Sequence, residues 1–379
     1  MPSVLIQGGS LVDAETGGIQ RANVHVRDGR IVSLDAGAPS VDQVIDANDC
    51  FVAPGFIDLH THVFDHPLFA TSRVPADRIG VQQGVACVVD AGSSGAATID
   101  AFPEFVHRTQ ATKTYAFINI GSPGLPSLGG GHASRPELCN LAGTVGAFED
   151  HGDWLVGVKV LASASHTGSF GLEATRLARK AAELVGRPLM LHVGNAPPVI
   201  DDVLDLLRPG DIVTHIYHGK VGGVLTHGDK VLPAFRAAVE RGIIVDIGHG
   251  RSSFSFRVCE TALEQGMPVH TISSDLHRGN LDRYAVSLAR TMTKLRMIGL
   301  SFIEVVRAVT LAPAQAIGLH KRGFGRLAPG SPAHITVFRE RGQPVELEDA
   351  EGERRTASTS FETVGVLVDG IYRERTAAL

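Results

Sequence analysis

Five residues of this chain have the types and spacing of a metal centre. His60-Thr61-His62 follows a short apolar run and places two imidazoles at i and i+2, on one face of an extended strand. His192 closes Leu189-Met190-Leu191, His215 closes Ile212-Val213-Thr214, and Asp275 closes Ile272-Ser273-Ser274. A lone histidine after an apolar run is most often a hydrogen-bonded core residue. Four histidines and an aspartate ending separate runs argue instead for a divalent-ion site, because neutral imidazole and carboxylate are what Zn²⁺ and related ions take as ligands. Lys159 is the sixth residue of interest, within Val156-Gly157-Val158-Lys159-Val160-Leu161. An ammonium facing an apolar interior is costly unless neutralised or compensated. One reading has it snorkel outward between helices. The other is chemical: the neutral amine adds CO₂ to give a carbamate, an anionic oxygen ligand able to bridge two metals, which in turn hold it.

Such residues need a frame that gathers the ends of separate strands. From residue 54 onward, eight apolar runs (55–59, 86–90, 115–120, 154–161, 188–193, 211–216, 243–247 and 269–273) alternate with longer stretches. Helical periodicity marks 172–185, 231–241 and 257–266 among these, and a final pair, 282–298 and 302–312. Eight βα units predict an α/β fold of the (β/α)₈ TIM-barrel type over 54–319, in which reactive groups sit at the C-terminal strand ends. Residues 1–53 and 320–379 read as antiparallel β, with turns at Gly8-Gly9, Asp28-Gly29 and in 323–330. Each is too small for a core of its own, so the two are expected to pair into one composite β-sandwich beside the barrel.

Composition narrows the partners. The chain has 379 residues, 40 acidic against 35 basic, with 44% apolar and 20% charged residues. These are the proportions of an ordinary soluble enzyme, and without a basic block neither nucleic acid nor a membrane surface is an expected partner. Cys50, Cys87, Cys139 and Cys259 lack any CxxC spacing, so reduced, mostly buried thiols are expected. The start Met1-Pro2-Ser3-Val4 has no basic region followed by an apolar one, and no run reaches the ~18 apolar residues of a membrane span. A cytoplasmic protein is the expectation, and a homo-oligomer is compatible with it.

Pro54-Gly55-Phe56-Ile57-Asp58-Leu59-His60-Thr61-His62, followed by Lys159, His192, His215 and Asp275, resembles the amidohydrolase superfamily of metal-dependent hydrolases. The resemblance spans essentially the whole chain, including the split β segment and Gly325-Arg326-Leu327-Ala328-Pro329-Gly330. One departure is Ala333-His334, where the family usually has Ala-Asp. The resemblance implies two divalent metal ions, Zn²⁺ being expected. His60, His62 and Asp275 would bind the first, His192 and His215 the second, with a CO₂-derived carbamate on Lys159 as bridge. It also implies that Asp275 is the catalytic residue, taking a proton from the attacking hydroxide and passing it to the leaving group.

Dihydroorotases carry an arginine two residues beyond the HxH pair, where this chain has Phe64, and the strand-three tyrosine of hydantoinases has no match in Phe117-Ile118-Asn119-Ile120-Gly121. Val89-Asp90-Ala91-Gly92-Ser93-Ser94-Gly95, Gly129-Gly130-Gly131-His132-Ala133 and Asp246-Ile247-Gly248-His249-Gly250 look like a different branch. These segments are similar to deacetylases often labelled dihydroorotases, which act on small α-substituted carboxylic acids such as acetylated α-hydroxy acids or N-acetyl amino acids. Substrate contacts are then expected from Ser94, His132, Arg135, Tyr217, His218, His249 and Arg278, around a small anionic substrate. The alternatives are a cyclic amidohydrolase of the dihydroorotase type and a catalytically inactive scaffold barrel. All six ligand positions are filled, which argues against the scaffold. A nucleotide-dependent enzyme is excluded by the absence of glycine-rich phosphate motifs.

Overall fold

The computed structural model describes residues 2–34, 37, 40–65, 74–108, 110–125 and 132–376. The N-terminal stretch forms β1 (Val4–Val12), β2 (Ile19–Arg27), β3 (Arg30–Leu34), β4 (Gln43–Asp46) and β5 (Phe51–Pro54). There follow β6 (Ile57–Thr61), β7 (Cys87–Gly95), β8 (Lys113–Asn119), β9 (Leu155–Ala162), β10 (Leu189–Val193), β11 (Ile212–Thr214) and β12 (Ile244–Asp246). The C-terminal stretch adds β13 (Ile335–Arg341), β14 (Val345–Glu348), β15 (Arg354–Ala357), β16 (Ser360–Val368) and β17 (Ile371–Glu374).

Strands β6 to β12 pair in chain order, every pair parallel, which is what short buried runs joined by helices produce. At the eighth position, where a full strand over 269–273 was expected, the chain makes only single parallel bridges. Thr271 pairs with Asp246 of β12 and Leu276 with Thr61 of β6. Two further bonds, Asp275 N–H to the His60 carbonyl (2.7 Å) and His62 N–H to the Leu276 carbonyl (2.9 Å), join this segment to the other edge of the sheet. Backbone bonds still tie the segment to β12 and the residues after it, Thr271 N–H to the Val245 carbonyl and the N–H groups of Ile247 and His249 to the carbonyls of Thr271 and Ser273, each at 3.1 Å, and the positive φ of 50° at Asp275 ends the extended run.

On the outer face of the sheet, Val158, Val160, Leu189 and Leu191 pack in one core with Ala174, Ala178, Ala181 and Ala182 of helix Leu172–Val185. Alanines at helical spacing let that helix lie close. On the inner face, Met190 precedes His192 and Ile212 precedes Thr214 by two positions. The apolar layer therefore lies toward the N-terminal strand ends, where it meets Ala314, Ile317 and Phe324, and the polar groups lie toward the C-terminal ends.

The two chain ends do pair, through β5, which runs parallel to β1 and antiparallel to β13. Their strands are hydrogen-bonded into one eight-stranded sheet. Its inward residues, among them Val4, Ile6, Val24, Val52, Ile335 and Leu367, make a separate core. His334 is buried at its edge, its ring centroid 4.8 Å from that of Phe324. The helix expected over 282–298 is shorter, Leu288–Met297, because the Ser287 hydroxyl accepts the Arg290 N–H at 3.0 Å and caps it. The expected helix over 302–312 divides into Phe302–Ala308 and Leu311–Ala316. Among the described residues, no helix is long and apolar enough to cross a membrane.

Candidate metal centre and its surroundings

His60 and His62 leave β6 toward the barrel mouth and converge on Asp275. Asp275 Oδ1 lies 3.2 Å from His62 Nε2 and 3.6 Å from His60 Nε2, while Oδ2 lies 4.0 Å from His215 Nε2. One donor atom from each of His60, His62 and Asp275 falls within a 4.8 Å sphere of mutual distances, close enough to share an ion. Lys159 Nζ, from β9, is 3.5 Å from His60 Nε2. The imidazoles continue as an arc: ring centroids are separated by 4.8 Å from His60 to His215, 4.5 Å from His215 to His192, and 5.5 Å from His192 to His166.

Neighbouring groups fix which nitrogens are free. The Thr214 hydroxyl donates to Asp246 Oδ2 at 2.7 Å, so at 3.0 Å from His60 Nδ1 it acts as acceptor and His60 carries its proton on Nδ1. His215 Nδ1 donates to the Gly248 carbonyl at 2.5 Å. In both rings Nε2 is thereby left with its lone pair for a metal. Asp246, buried at the end of β12, also accepts the hydroxyls of Thr271 and Ser273, each at 2.7 Å. Asp90 accepts the N–H of Ser93 at 2.7 Å and of Val63 at 2.9 Å, and the Ser93 hydroxyl lies 2.8 Å from His62 Nδ1. Asp58 accepts the backbone and hydroxyl of Ser274, which steadies the segment carrying Asp275. Gly92 is required beside the lysine: its φ is 82°, and a Cβ there would stand 2.7 Å from Lys159 Cβ.

Burial sets the charge states. It lowers His60 and His192 well below the ordinary imidazole value and His215 to about 3, all neutral as ligation requires. Burial also brings Lys159 down to about 7, against the opposing carboxylates of Asp275, Asp246 and Asp90. For Asp275 burial acts upward, yet the hydrogen bond from His62 and the nearby histidines bring it down to about 2, so it is a carboxylate.

The expected substrate contacts divide. Ser94 Oγ, His132 Nε2 and His218 Nε2 are buried with no hydrogen-bond partner among the described residues, which leaves them available to something bound. Tyr217 must be reassigned: His215 turns the chain at φ 68°, and the Tyr217 ring enters the apolar core, its hydroxyl donating to the Pro268 carbonyl at 2.6 Å. His249 has both ring nitrogens engaged, Nδ1 with the Gly250 carbonyl at 2.9 Å and Nε2 with Lys294 Nζ at 2.7 Å. It orders the loop after β12 rather than offering a free contact. Arg135, ahead of the short helix Pro136–Leu138, and Arg278, in the turn Arg278–Asn280, are both exposed. The glycines Gly129, Gly130 and Gly131 lie outside the described residues. Sequence reasoning passed over His277, whose Nδ1 donates to the Asp275 carbonyl at 2.9 Å, and His166 and Lys220, and it quoted Asp246 only as part of the 246–250 segment, without a role. His166, His192, His215 and His218, lowered first by burial, are lowered further by the charge of the half-buried Lys220.

No family profile matches the chain. A deacetylase of Agrobacterium fabrum is 36% identical over 342 residues, covering 88% of this chain and 82% of its own length. A deacetylase of Enterococcus faecalis is 34% identical, with coverage of 84% and 86%. Among solved structures, one titled as a dihydroorotase superposes with a TM-score of 0.90 at 32% identity, over 99% of both chains. Another, titled as an adenine deaminase, gives 0.91 at 29% identity, over 98% of this chain and 99% of its own. A D-hydantoinase at 17% identity and a TM-score of 0.72 shares the fold. With relatives of this identity and coverage, and with an HxH pair and an aspartate converging at the mouth of a parallel α/β sheet, the chain belongs to the amidohydrolase superfamily, to its deacetylases, and is a hydrolase.

Proposed function

We propose that the protein is a two-metal deacetylase removing an acetyl group from small α-substituted carboxylic acids, acetylated α-hydroxy acids or N-acetyl amino acids. The observation that carries this reading is the convergence of His60, His62 and His215 on the single carboxylate of Asp275, with Lys159 Nζ 3.5 Å from His60. The donor set fits two ions, since Nε2 of His60 and His215 is freed by the bonds at Nδ1. His60, His62 and Asp275 would hold one, His192 and His215 the other, and carboxylated Lys159 would bridge. Such ions, Zn²⁺ above all, lower the pKa of water and polarise the acyl carbonyl.

The chain's own groups supply the rest. Asp275 Oδ1 is turned to His60 and His62 while Oδ2 lies 4.0 Å from His215 Nε2, which supports a role for Oδ2 in taking a proton from water and returning it to the leaving oxygen or nitrogen. His277 and Asn280, whose side-chain N–H groups donate to the Asp275 carbonyl at 2.9 and 2.8 Å, hold that carboxylate in position. Lys220 is the cation for the substrate carboxylate, and Ser94, His132 and His218 are the unpartnered polar groups for the acyl and α-substituents. A ring-opening dihydroorotase reading receives no support at Phe64, which is buried with its ring centroid 5.4 Å from that of Phe102. Kinetics of the Zn-loaded enzyme on acetyl esters and N-acetyl amino acids of both hands, beside dihydroorotate, test the proposal. Turnover of one acetylated class is expected, and turnover of dihydroorotate alone would reject it.

A further inference from the structure

A cavity of about 790 Å³ lies away from the metal centre, in the seam between helix Leu288–Met297 and the terminal sheet. That is ample for a small molecule. Its charged lining is Arg78, Arg290, Arg341 and Arg375 against Asp282 and Glu362. Glu362 is already matched, by Arg341 Nε at 2.7 Å and by Arg375 at 3.7 Å, so positive charge is in excess. The same wall contains two buried polar atoms without a partner among the described residues, Arg78 Nε and Gln83 Oε1. The unpartnered Arg78 donor and the excess guanidinium groups suit carboxylate or phosphate oxygens, which such groups grip in pairs, while the Gln83 acceptor suits a hydroxyl donor beside them.

The cavity also touches the segment that holds Asp275. Leu281 and Val286 line it, the Val286 N–H donates to the Asn280 carbonyl at 3.1 Å, and Asn280 Nδ2 donates to the Asp275 carbonyl at 2.8 Å. Gln83, across the cavity, donates to the Val286 carbonyl at 3.4 Å. Tyr284 and Val286 have φ of 67° and 61°. For a β-branched valine that conformation is strained, and strained segments concentrate where a protein binds or switches.

We propose that this cavity is a regulatory site for a small organic dianion, a phosphate monoester or a dicarboxylate, whose occupancy is transmitted to Asp275 through residues 280–286. The binding half of the proposal does not depend on which acyl substrate the enzyme takes. Calorimetric titration of the holoenzyme with glycerol phosphate, with malate and with inorganic phosphate tests it. Saturable binding of one dianion per chain is expected, weakened at least about tenfold by Arg78→Gln and by Arg341→Gln. The tighter of the two organic probes identifies its class. With saturating probe, kcat or KM should change in the wild type and not in Arg78→Gln. No saturable binding at millimolar concentration, or binding that competes with substrate and survives both substitutions, would overturn the site. Binding that both substitutions weaken but that leaves the kinetics unchanged would overturn the transmission. Arg341 is exposed, so its variant keeps the test valid if Arg78→Gln folds poorly.

Discussion

His62 Nε2 stands 3.2 Å from Asp275 Oδ1, which joins the first parallel strand to the irregular segment that completes the barrel. The contact exists only because the backbone closes there: Asp275 N–H reaches the His60 carbonyl at 2.7 Å and His62 N–H the Leu276 carbonyl at 2.9 Å. The bonds that join this segment to β6 thus also set the distance from Asp275 to the two imidazoles. The positive φ of Asp275 breaks the strand and aims its carboxylate at three imidazoles from two strands.

The first prediction concerns metal. Purified without chelator, the protein should contain close to two equivalents of Zn²⁺ or a similar ion, and chelation should abolish hydrolysis reversibly. Lys159→Ala should lose the second equivalent and most activity, with partial return on adding short carboxylic acids. Wild-type metal content and rate in Lys159→Ala would refute the bridge.

Asp275→Asn keeps the shape of the side chain but cannot take a proton. A general acid–base typically contributes about 10²–10⁴-fold, so activity should fall by at least about 10²-fold and stay low with excess metal. Full recovery of rate at full metal occupancy would move the proton transfer to another residue.

The metal-site candidates were legible because strand-end position is a periodic signal: His60, His62, His192, His215 and Asp275 each close an apolar run. What surrounds them was not, because it depends on partners distant in sequence. Asp246 is held by Thr214, Thr271 and Ser273 from two other segments. Lys294, on a helix, reads as a surface residue, yet it is fully buried because His249 and the carbonyls of Tyr284 and Glu348 all accept from its ammonium. The one-sheet pairing of the chain ends rests on β5 choosing two partners, β1 and β13, which no local pattern shows.

Tyr217→Phe separates a core role from a substrate role. The hydroxyl donates to the Pro268 carbonyl, so its loss should cost about 1–2 kcal/mol of stability in urea melts and leave kcat/KM nearly unchanged. A large rise in KM with unaltered stability would restore Tyr217 to the substrate pocket.

His334 gives a pH prediction. Burial lowers its imidazole to about 4, with the Asp369 carboxylate opposing. The unfolded chain takes up this proton near pH 6.5 and the folded chain only near pH 4, so stability present above pH 6.5 is lost as pH falls between the two values, by at most about 1.4 kcal/mol per pH unit. Urea midpoints of His334→Asn should therefore decline less steeply over that window than those of the wild type. Parallel curves would show that His334 does not titrate there. His132 and His218, lowered by burial to about 3 and about 4, leave a remaining slope of the same sign in both proteins.

The last prediction tests the substrate's charge. Arg135 and Arg278 are exposed and His249 is engaged by Lys294, which leaves Lys220 as the half-buried cation close to the centre. Burial lowers its ammonium below the ordinary lysine value, with the carboxylates of Asp275 and Glu351 opposing, so an anion bound beside it would favour the charged form. Lys220→Met preserves the aliphatic stem and removes the charge. For a free-acid substrate kcat/KM should fall by about 10- to 100-fold, the worth of one charge-assisted hydrogen bond of roughly 1.5–3 kcal/mol. For the same substrate with its carboxylate blocked as an amide, the substitution should change little, because the partner is already missing. The pair of substitutions, one on the enzyme and one on the substrate, makes a cycle whose coupling isolates the contact. Equal losses on the free and blocked substrates would show that Lys220 acts on the metal centre and not on a carboxylate, and an unchanged rate on both would remove it from the pocket.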